Sequence, residues 1–399
     1  MHAQRVCHKI MNNALGWMHA LRREALTTCI LAVIKGQRLT VTGMGRAIHS
    51  PAKEKHCIKR ADRLLSNGAL YREHRDVYHV FARLIVGTTP RPVIVVDWSD
   101  LDGCKQNFLL RAALALQGRT LTLYEEVHTA LTNERPKTHN AFLHRLKALL
   151  PPECCPILIT DAGFRTPWFK AVKKQGWDWV GRIRNHHLVK HADNSTWVDS
   201  KTYHHYASTI ATHLGRVQLT RSAPLDCELV LYKDQSKGRV KKTKLGKRDR
   251  SSPSKKCAAR ESEPWLLATS LTVTADFAAH VVKIYKTRMQ IEEGFRDNKS
   301  VRFGLGFELH HTNNARRLQI LLLIASLATF VLWILGTIAK QSGQHWQYQA
   351  NTVKDRNVLS VIYLGLRVAY DERFVLCERA ITQAAETLWK MMAEHATPV

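Results

Sequence analysis

Apolar residues along this chain recur with two different periods, and the changes of period mark out its organisation. Up to about residue 85 the spacing is helical. Thr42 is placed to cap a short helix that ends near His49, and Ser50-Pro51 to open another with Pro51 at its first helical position. In that second helix Cys57, Ile58, Ala61, Leu64 and Leu65 form an apolar stripe. Lys53, Lys55, Lys59, Arg60 and Arg63 fill much of the rest, and Asn67-Gly68 ends it. Two short helices with a tight joint, the second one basic, suit a helix-turn-helix-like module, although a helical bundle with a solvated charged face carries the same pattern.

After Thr88-Thr89-Pro90-Arg91-Pro92 the pattern shortens. Val93 to Val96 is an apolar run read as a buried strand ending on Asp97. Phe108 to Leu116 and Leu121 to Val127 are two strands joined by a Gln117-Gly118 turn. A helix over Lys137 to Leu150 is stopped by Pro151-Pro152. Ile157 to Thr160 is a second short apolar strand, ending on Asp161; Pro167 to Gln175 reads as a helix and Trp177 to Ile183 as a strand. The order strand, hairpin, helix, strand, helix, strand predicts a mixed α/β sheet with its first and fourth strands adjacent and parallel. Ligands of open α/β sheets gather beyond the carboxyl ends of the strands, so Asp97 and Asp161 are expected at one mouth.

Residues 185–263 interrupt this pattern. They are strand-like over Glu228 to Tyr232, and the segment Lys233 to Lys256 then holds eleven Lys or Arg against two Asp. Trp265 to Thr269 returns to a strand, Asp276 is placed to cap a helix running to about Lys299, and the chain from Arg316 onward reads as helical. The expected domains are therefore a helical module over 1–85, an α/β core over 86–184 and 264–340, a β-rich basic insertion over 185–263 and a helical region over 341–399.

Charge narrows the function. The formal net charge of the 399 residues is +27, which calls for a polyanionic partner, nucleic acid before an anionic membrane surface. Eleven like charges in one short segment repel one another, so DNA contact by the basic run, Lys241 and Lys242 included, and by Arg184 at its approach, is the expected use. The nine cysteines have no CxxC pair and no regular spacing, so neither a zinc site nor a disulfide framework is expected. No signal peptide is read, and a reducing cytoplasm is the expected compartment. Leu318 to Ala339 carries no charged residue and is long enough to cross a bilayer, but it includes Gln319, Ser326 and Thr329 and stands alone, which suits a core helix and no membrane partner.

The chemistry concentrates in the helix after Asp276. At about 100° per residue, with Tyr285 as zero, Arg288 falls near −60°, Glu292 near −20°, Arg296 near +20° and Lys299 near −40°. A continuous helix thus presents one carboxylate among cations on a single stripe, where Arg288, Arg296 and Lys299 are expected to grip DNA phosphates beside the metals and Tyr285 to hydrogen-bond a phosphate oxygen. Two strand-terminal aspartates and this glutamate are hard-oxygen donors suited to Mg²⁺ or Mn²⁺, and two such ions can serve an in-line displacement at a phosphodiester. Asp100, Asp178, Glu293 and Asp297 are the competing carboxylates; Asp100 is expected past the strand end, and Glu293 to point about 100° away from Glu292.

Tyr285, Arg288, Glu292 and Lys299 have the spacing Y-x2-R-x3-E-x6-K, and with Val96-Asp97-Trp98-Ser99-Asp100, Asp161-Ala162-Gly163-Phe164 and Pro264-Trp265-Leu266-Leu267-Ala268-Thr269 the chain resembles the bacterial insertion-sequence transposases of the fourth family, the YREK-motif group. The resemblance covers nearly the whole chain. It implies an RNase H-like catalytic core with a mostly β insertion before the glutamate, and Asp97, Asp161 and Glu292 as the metal-binding triad. It implies cut-and-paste transposition through hairpinned transposon ends, by a homodimer on paired terminal inverted repeats that then joins them to target DNA. A tryptophan before the glutamate helix stacks on a flipped base in this group, and Trp265 stands at the matching place. Met289 occupies a position where some relatives have a second aromatic residue.

Overall fold

A computed structural model describes residues 2–184, 186–235, 243, 247–249, 251–252, 254–255 and 263–396. In chain order the elements are α1 (His2–Ala14), α2 (Ala20–Gly36), α3 (Val41–Ala47), α4 (Glu54–Leu65), α5 (Gly68–Val86), β1 (Val93–Asp100), β2 (Asn107–Ala115), β3 (Thr120–Thr129), α6 (Pro136–Leu149), β4 (Ile157–Thr160), α7 (Thr166–Lys174), β5 (Asp178–Ile183), β6 (Leu188–His191), β7 (Val198–Asp199), β8 (Thr212–Leu219), β9 (Leu225–Tyr232), β10 (Trp265–Thr269), α8 (Phe277–Lys286), α9 (Met289–Lys299), α10 (Ala315–Gln341), α11 (Val361–Val368) and α12 (Glu378–Ala396). This is the expected mixed α/β class. One compact unit holds the residues up to Cys154 together with Met289–Ala396, and the other holds Cys155–Arg288.

The first unit is built around α10. Its residues from Leu318 to Ala339 are buried apart from a half-exposed Thr329, and α1, α2, α5, α11, α12 and β3 pack on it. An all-round apolar helix has to be covered on every side, and here protein covers it. Two of its buried polar side chains reach β3. Gln319 accepts from the Val127 N–H (3.0 Å) and donates to the Glu125 carbonyl (2.9 Å), so it satisfies backbone groups of β3. Ser326 Oγ donates to Glu125 Oε1 at 2.7 Å. Helix α11 comes close enough that a Cβ at Gly365 would lie 2.1 Å from the Leu332 carbonyl oxygen, so only glycine fits that crossing.

Strands β1, β2 and β3 form an antiparallel meander, with Gly118 at φ +81° in the β2–β3 turn. The registers Asp97↔Arg111 and Arg111↔Glu125 set these three side chains in one row across the strands. Arg111 Nε donates to Glu125 Oε2 at 2.7 Å, and Tyr78 Oη donates to Glu125 Oε1 at 2.8 Å. Both members of the ion pair are buried, so its hydrogen bonds have to replace lost hydration.

Two expected helix starts moved. Thr40, not Thr42, caps α3, its Oγ1 accepting from the Gly43 N–H at 3.0 Å. Helix α4 begins at Glu54 rather than at Pro51, with Lys53 as a cap that makes no side-chain bond. A Cβ at Gly45 would lie 2.4 Å from Ile58 Cα, so α3 and α4 cross with their backbones nearly touching.

In the second unit β4 and β5 are parallel and linked through α7. From β5 the pairing runs antiparallel through β10, β9, β8, β6 and β7. Strands β6 to β9 thus extend the sheet of this unit through β10.

Replacing Glu125 with alanine leaves the Arg111 charge buried without its partner and is expected to cost about 3–5 kcal/mol. Ser326→Ala removes one of three donors to the same carboxylate and should cost about 1 kcal/mol. Urea denaturation of the two variants measures the difference.

Candidate active site

Asp97 lies inside β1, not at its end. Pairing with β2 continues through Ser99↔Leu109 and Asp100↔Phe108, which carries the strand three residues further than the sequence pattern indicates. The apolar run stops at Asp97 because burial lapses there, from fully buried at Val93–Val96 to half-buried at Asp97, Trp98 and Ser99. The half-buried Asp97 accepts the Trp98 N–H at Oδ1 (2.8 Å). Asp97 and Ser99 share one face of the strand, and Asp100 points to the other, where it is exposed and 3.8 Å from Lys105.

The single helix expected from Asp276 to Lys299 is two helices. At Thr287 and Arg288 the backbone bonds shorten to Thr287 N–H···O Ile284 (3.1 Å) and Arg288 N–H···O Tyr285 (3.0 Å), and Thr287 Oγ1 also donates to the Ile284 carbonyl (2.7 Å). A carbonyl taken by a threonine hydroxyl and a tight turn no longer propagates the α-helical ladder. Asp276 stands at the cap position of α8 without a capping bond. The expectation of one continuous helix through Tyr285 and Lys299 is thereby corrected. Tyr285 and Arg288 belong to the segment before the break; Glu292, Arg296 and Lys299 belong to α9. Glu292 lies in the first turn of α9, where the helix dipole favours negative charge, and it is exposed.

Helix α9 is fixed to the β1–β3 meander at several points. Gln290 Oε1 accepts the Leu116 N–H (2.8 Å), and Arg119 Nε donates to Asp297 Oδ2 (2.6 Å). Phe295 packs under the Arg111 guanidinium, 4.9 Å from ring centre to Cζ. Lys299 Nζ donates to Ser99 Oγ (2.8 Å) and to the Asp100 carbonyl (2.6 Å). Burial, then the nearby Arg111 charge, lowers the Lys299 pKa from its ordinary value. Arg296 is ion-paired with Glu293 at 2.6 Å.

Asp161 directly follows β4, as expected, and its Oδ1 accepts the Gly163 N–H at 2.9 Å. In the same unit Trp265 is half-buried between two tyrosines, 5.2 Å from Tyr285 edge-on and 5.6 Å from Tyr232. Tyr285 is buried and serves as the wall behind Trp265. Arg184 Nε donates to Glu263 Oε2 at 2.7 Å, and Arg182 reaches the same carboxylate at 3.4 Å. Burial lowers the Arg182 pKa, and the charges of Arg184 and Arg288 act the same way, so three arginines lie near one another here. Arg182, Glu263, Tyr232 and the Lys286 bonded to it (2.9 Å) were not singled out from sequence. A cation written into a buried strand, as Arg182 is in β5, was the available signal.

Of the cations assigned to the N-terminal module, Lys53, Lys55, Lys59 and Arg63 are exposed. Arg60 instead ties α4 to α2 through Glu24 and Thr28, both at 3.2 Å. A cavity of about 760 Å³ runs between these helices and is lined by Arg22, His56, Lys59, Arg60 and Arg63 among others. Lys241 and Lys242 lie outside the described residues. The competing carboxylates are each engaged elsewhere: Asp178 with Ser270 (2.9 Å), Asp297 with Arg119, Glu293 with Arg296 and Asp100 near Lys105.

The chain matches the family described as Transposase DDE domain over residues 88–329, more than half its length, and it belongs to that family. It is thus a transposase of the DDE type, with nuclease and transferase chemistry on DNA and an RNase H-like core. A search of curated proteins gave no match. The matched span contains Asp97, Asp161 and Glu292. Enzymes of this family generally use divalent metal ions. The donor chemistry here suits such ions: hard carboxylate oxygens, with both aspartates oriented by a backbone N–H as metal-ligating carboxylates are. Among the described residues, no three His, Cys, Asp or Glu side chains are gathered closely enough to hold a metal by themselves.

Trp98 is steadied behind Asp97 by its indole N–H, which donates to His139 Nε2 at 3.1 Å. Burial, reinforced by His128, lowers the His139 pKa to about 4. An unfolded histidine binds its proton near pH 6.5. Between those values the unfolded chain holds the extra proton, so stability from this group is complete above pH 6.5 and is lost as pH falls towards 4, by on the order of 3 kcal/mol. His139→Gln should remove this part of the slope in unfolding experiments run across that range.

Proposed function

We propose that the chain is the transposase of a bacterial insertion sequence of the YREK-motif group and moves its element by cut-and-paste. The observation that carries this reading is the family match, which encloses Asp97, Asp161 and Glu292 together with the Tyr285-x2-Arg288-x3-Glu292-x6-Lys299 spacing. In this reading the three carboxylates hold two Mg²⁺ ions, which Mn²⁺ can replace. Bound there, the ions activate the attacking oxygen and stabilise the leaving oxygen of the phosphodiester. Arg288 and Arg296 grip phosphates beside the scissile bond. Trp265, held edge-on by Tyr285, offers its half-exposed face to a base flipped out when the transposon end closes into a hairpin. Lys53, Lys55, Lys59 and Arg63 contact the terminal inverted repeats, and a homodimer acts on paired ends and then on target DNA. The compartment is the bacterial cytoplasm.

Asp97→Ala, Asp161→Ala and Glu292→Ala are each expected to abolish metal-dependent cleavage of DNA carrying the element's ends while end binding in gel shift persists. Substantial cleavage by any one of them removes that residue from the set. Trp265→Ala is expected to slow hairpin formation more than first-strand nicking; equal slowing of the two steps in a time course would exclude the base-flip role.

A further inference from the structure

Two cavities meet at Asn67. The larger, of about 760 Å³, lies between α2 and α4; the second, of about 490 Å³, lies between the α4–α5 turn and the start of α10. Both fall inside one compact unit. Among the described residues, neither is lined by an aspartate or a glutamate. The first is lined by His56, Lys59 and Arg63, the second by Arg72, Arg316 and Arg317. A basic track therefore runs from the exposed face of α4, across Asn67, to the first turn of the core helix.

The three arginines of the second cavity differ in what they hold. Arg317 donates to Asp62 Oδ1 at 2.6 Å and to Ser66 Oγ at 2.5 Å, so it ties the start of α10 to the end of α4. Arg316, one residue earlier, is exposed, and its guanidinium rests on the Tyr71 ring, 5.3 Å from the ring centre. Tyr71 in turn stacks on the buried His74, also at 5.3 Å. Arg72 is exposed and folds back over Gly68, where a Cβ would lie 3.7 Å from its Nη1. A guanidinium laid on an aromatic face keeps the N–H groups at its edge for an acceptor, and two guanidiniums beside one cavity without a carboxylate suit an oxyanion.

We propose that this second cavity is a phosphate site for duplex DNA, in which Arg72 and Arg316 take backbone oxygens next to those held by the exposed cations of α4. This rests on the reading that α4 contacts DNA. The continuity of the track favours a duplex over a free anion, because a duplex lying along α4 brings a row of phosphates rather than one. Contact at Arg316 sets the DNA directly on α10, the helix whose Gln319 and Ser326 are bonded to β3.

The test is binding of the full-length protein to a short duplex of mixed sequence over a series of salt concentrations. Arg72→Ala and Arg316→Ala are each expected to reduce the slope of log affinity against log salt by about 0.9, the share of one phosphate contact, and the double change by about 1.8. R72K and R316K keep the charge and should keep the slope. Arg83→Ala removes an exposed cation from the last turn of α5 and should leave the slope unchanged. An unaltered slope in the double variant, or an equal loss in R83A, overturns the site. A third result also overturns it: inorganic phosphate at constant ionic strength protects the parent against heat, the double change abolishes that protection, and duplex binding stays intact. The occupant would then be a free anion. Lys59→Ala combined with Arg63→Ala is the control for α4: if it leaves the slope unaltered, the reading of α4 as a DNA contact fails, whatever Arg72 and Arg316 do. If the double alanine variant proves unfolded by circular dichroism, Arg72→Gln with Arg316→Gln replaces it, and the same decrease is expected.

Discussion

The first unit depends on the burial of α10. A run from Leu318 to Ala339 without a charge cannot face water, and helices from both ends of the chain together with β3 are gathered to cover it. The two polar residues that argue against a membrane reading of this run are also the ones that orient it. Gln319 completes backbone hydrogen bonds of β3, and Ser326 reaches the carboxylate of Glu125. An apolar helix alone would be free to rotate or slide against the sheet; these bonds fix its register on β3, and the meander is thereby fixed as well.

From β3 the order passes to the site through one row of side chains. Glu125 holds Arg111, and Arg111 stands directly opposite Asp97. The same guanidinium covers Phe295 of α9, three residues after Glu292. A buried ion pair is a weak source of stability, because desolvation offsets most of the attraction. Here its geometric consequence matters more. It fixes the environment of one carboxylate and packs against the helix bearing a second. The position of Asp97 is thus a property of three strands and a core helix, not of the loop after a strand.

Much of this was legible in the sequence. Ile157–Thr160 and Trp265–Thr269 are strands with the expected bounds, because short apolar runs between turn residues have few other uses. The end of β1 was not legible, since Asp97 and Ser99 look like the start of a loop when their hydrogen-bond partners on β2 are unknown. The break between α8 and α9 was hidden for a related reason. Thr287 is tolerated inside helices, and nothing in the local pattern says that its hydroxyl takes the Ile284 carbonyl. The identities in the Tyr285–Lys299 motif were readable, while the division of its helix in two was not. The ion partner of Arg184, Glu263, lies 79 residues away in sequence and is found only through the pairing of β5 with β10.

Among the described residues, the cations behind the net charge of +27 include two populations. Lys53, Lys55, Lys59 and Arg63 are exposed, and a polyanion can reach them without displacing a buried protein contact. Arg111, Arg184 and Arg296 already hold carboxylates, and Lys299 holds two neutral oxygens. For the paired arginines, gripping a phosphate means giving up an ion pair, so the net gain is the difference between two similar interactions. The exposed lysines gain the whole electrostatic attraction together with counterion release. Affinity for DNA in general should therefore come mostly from the exposed set.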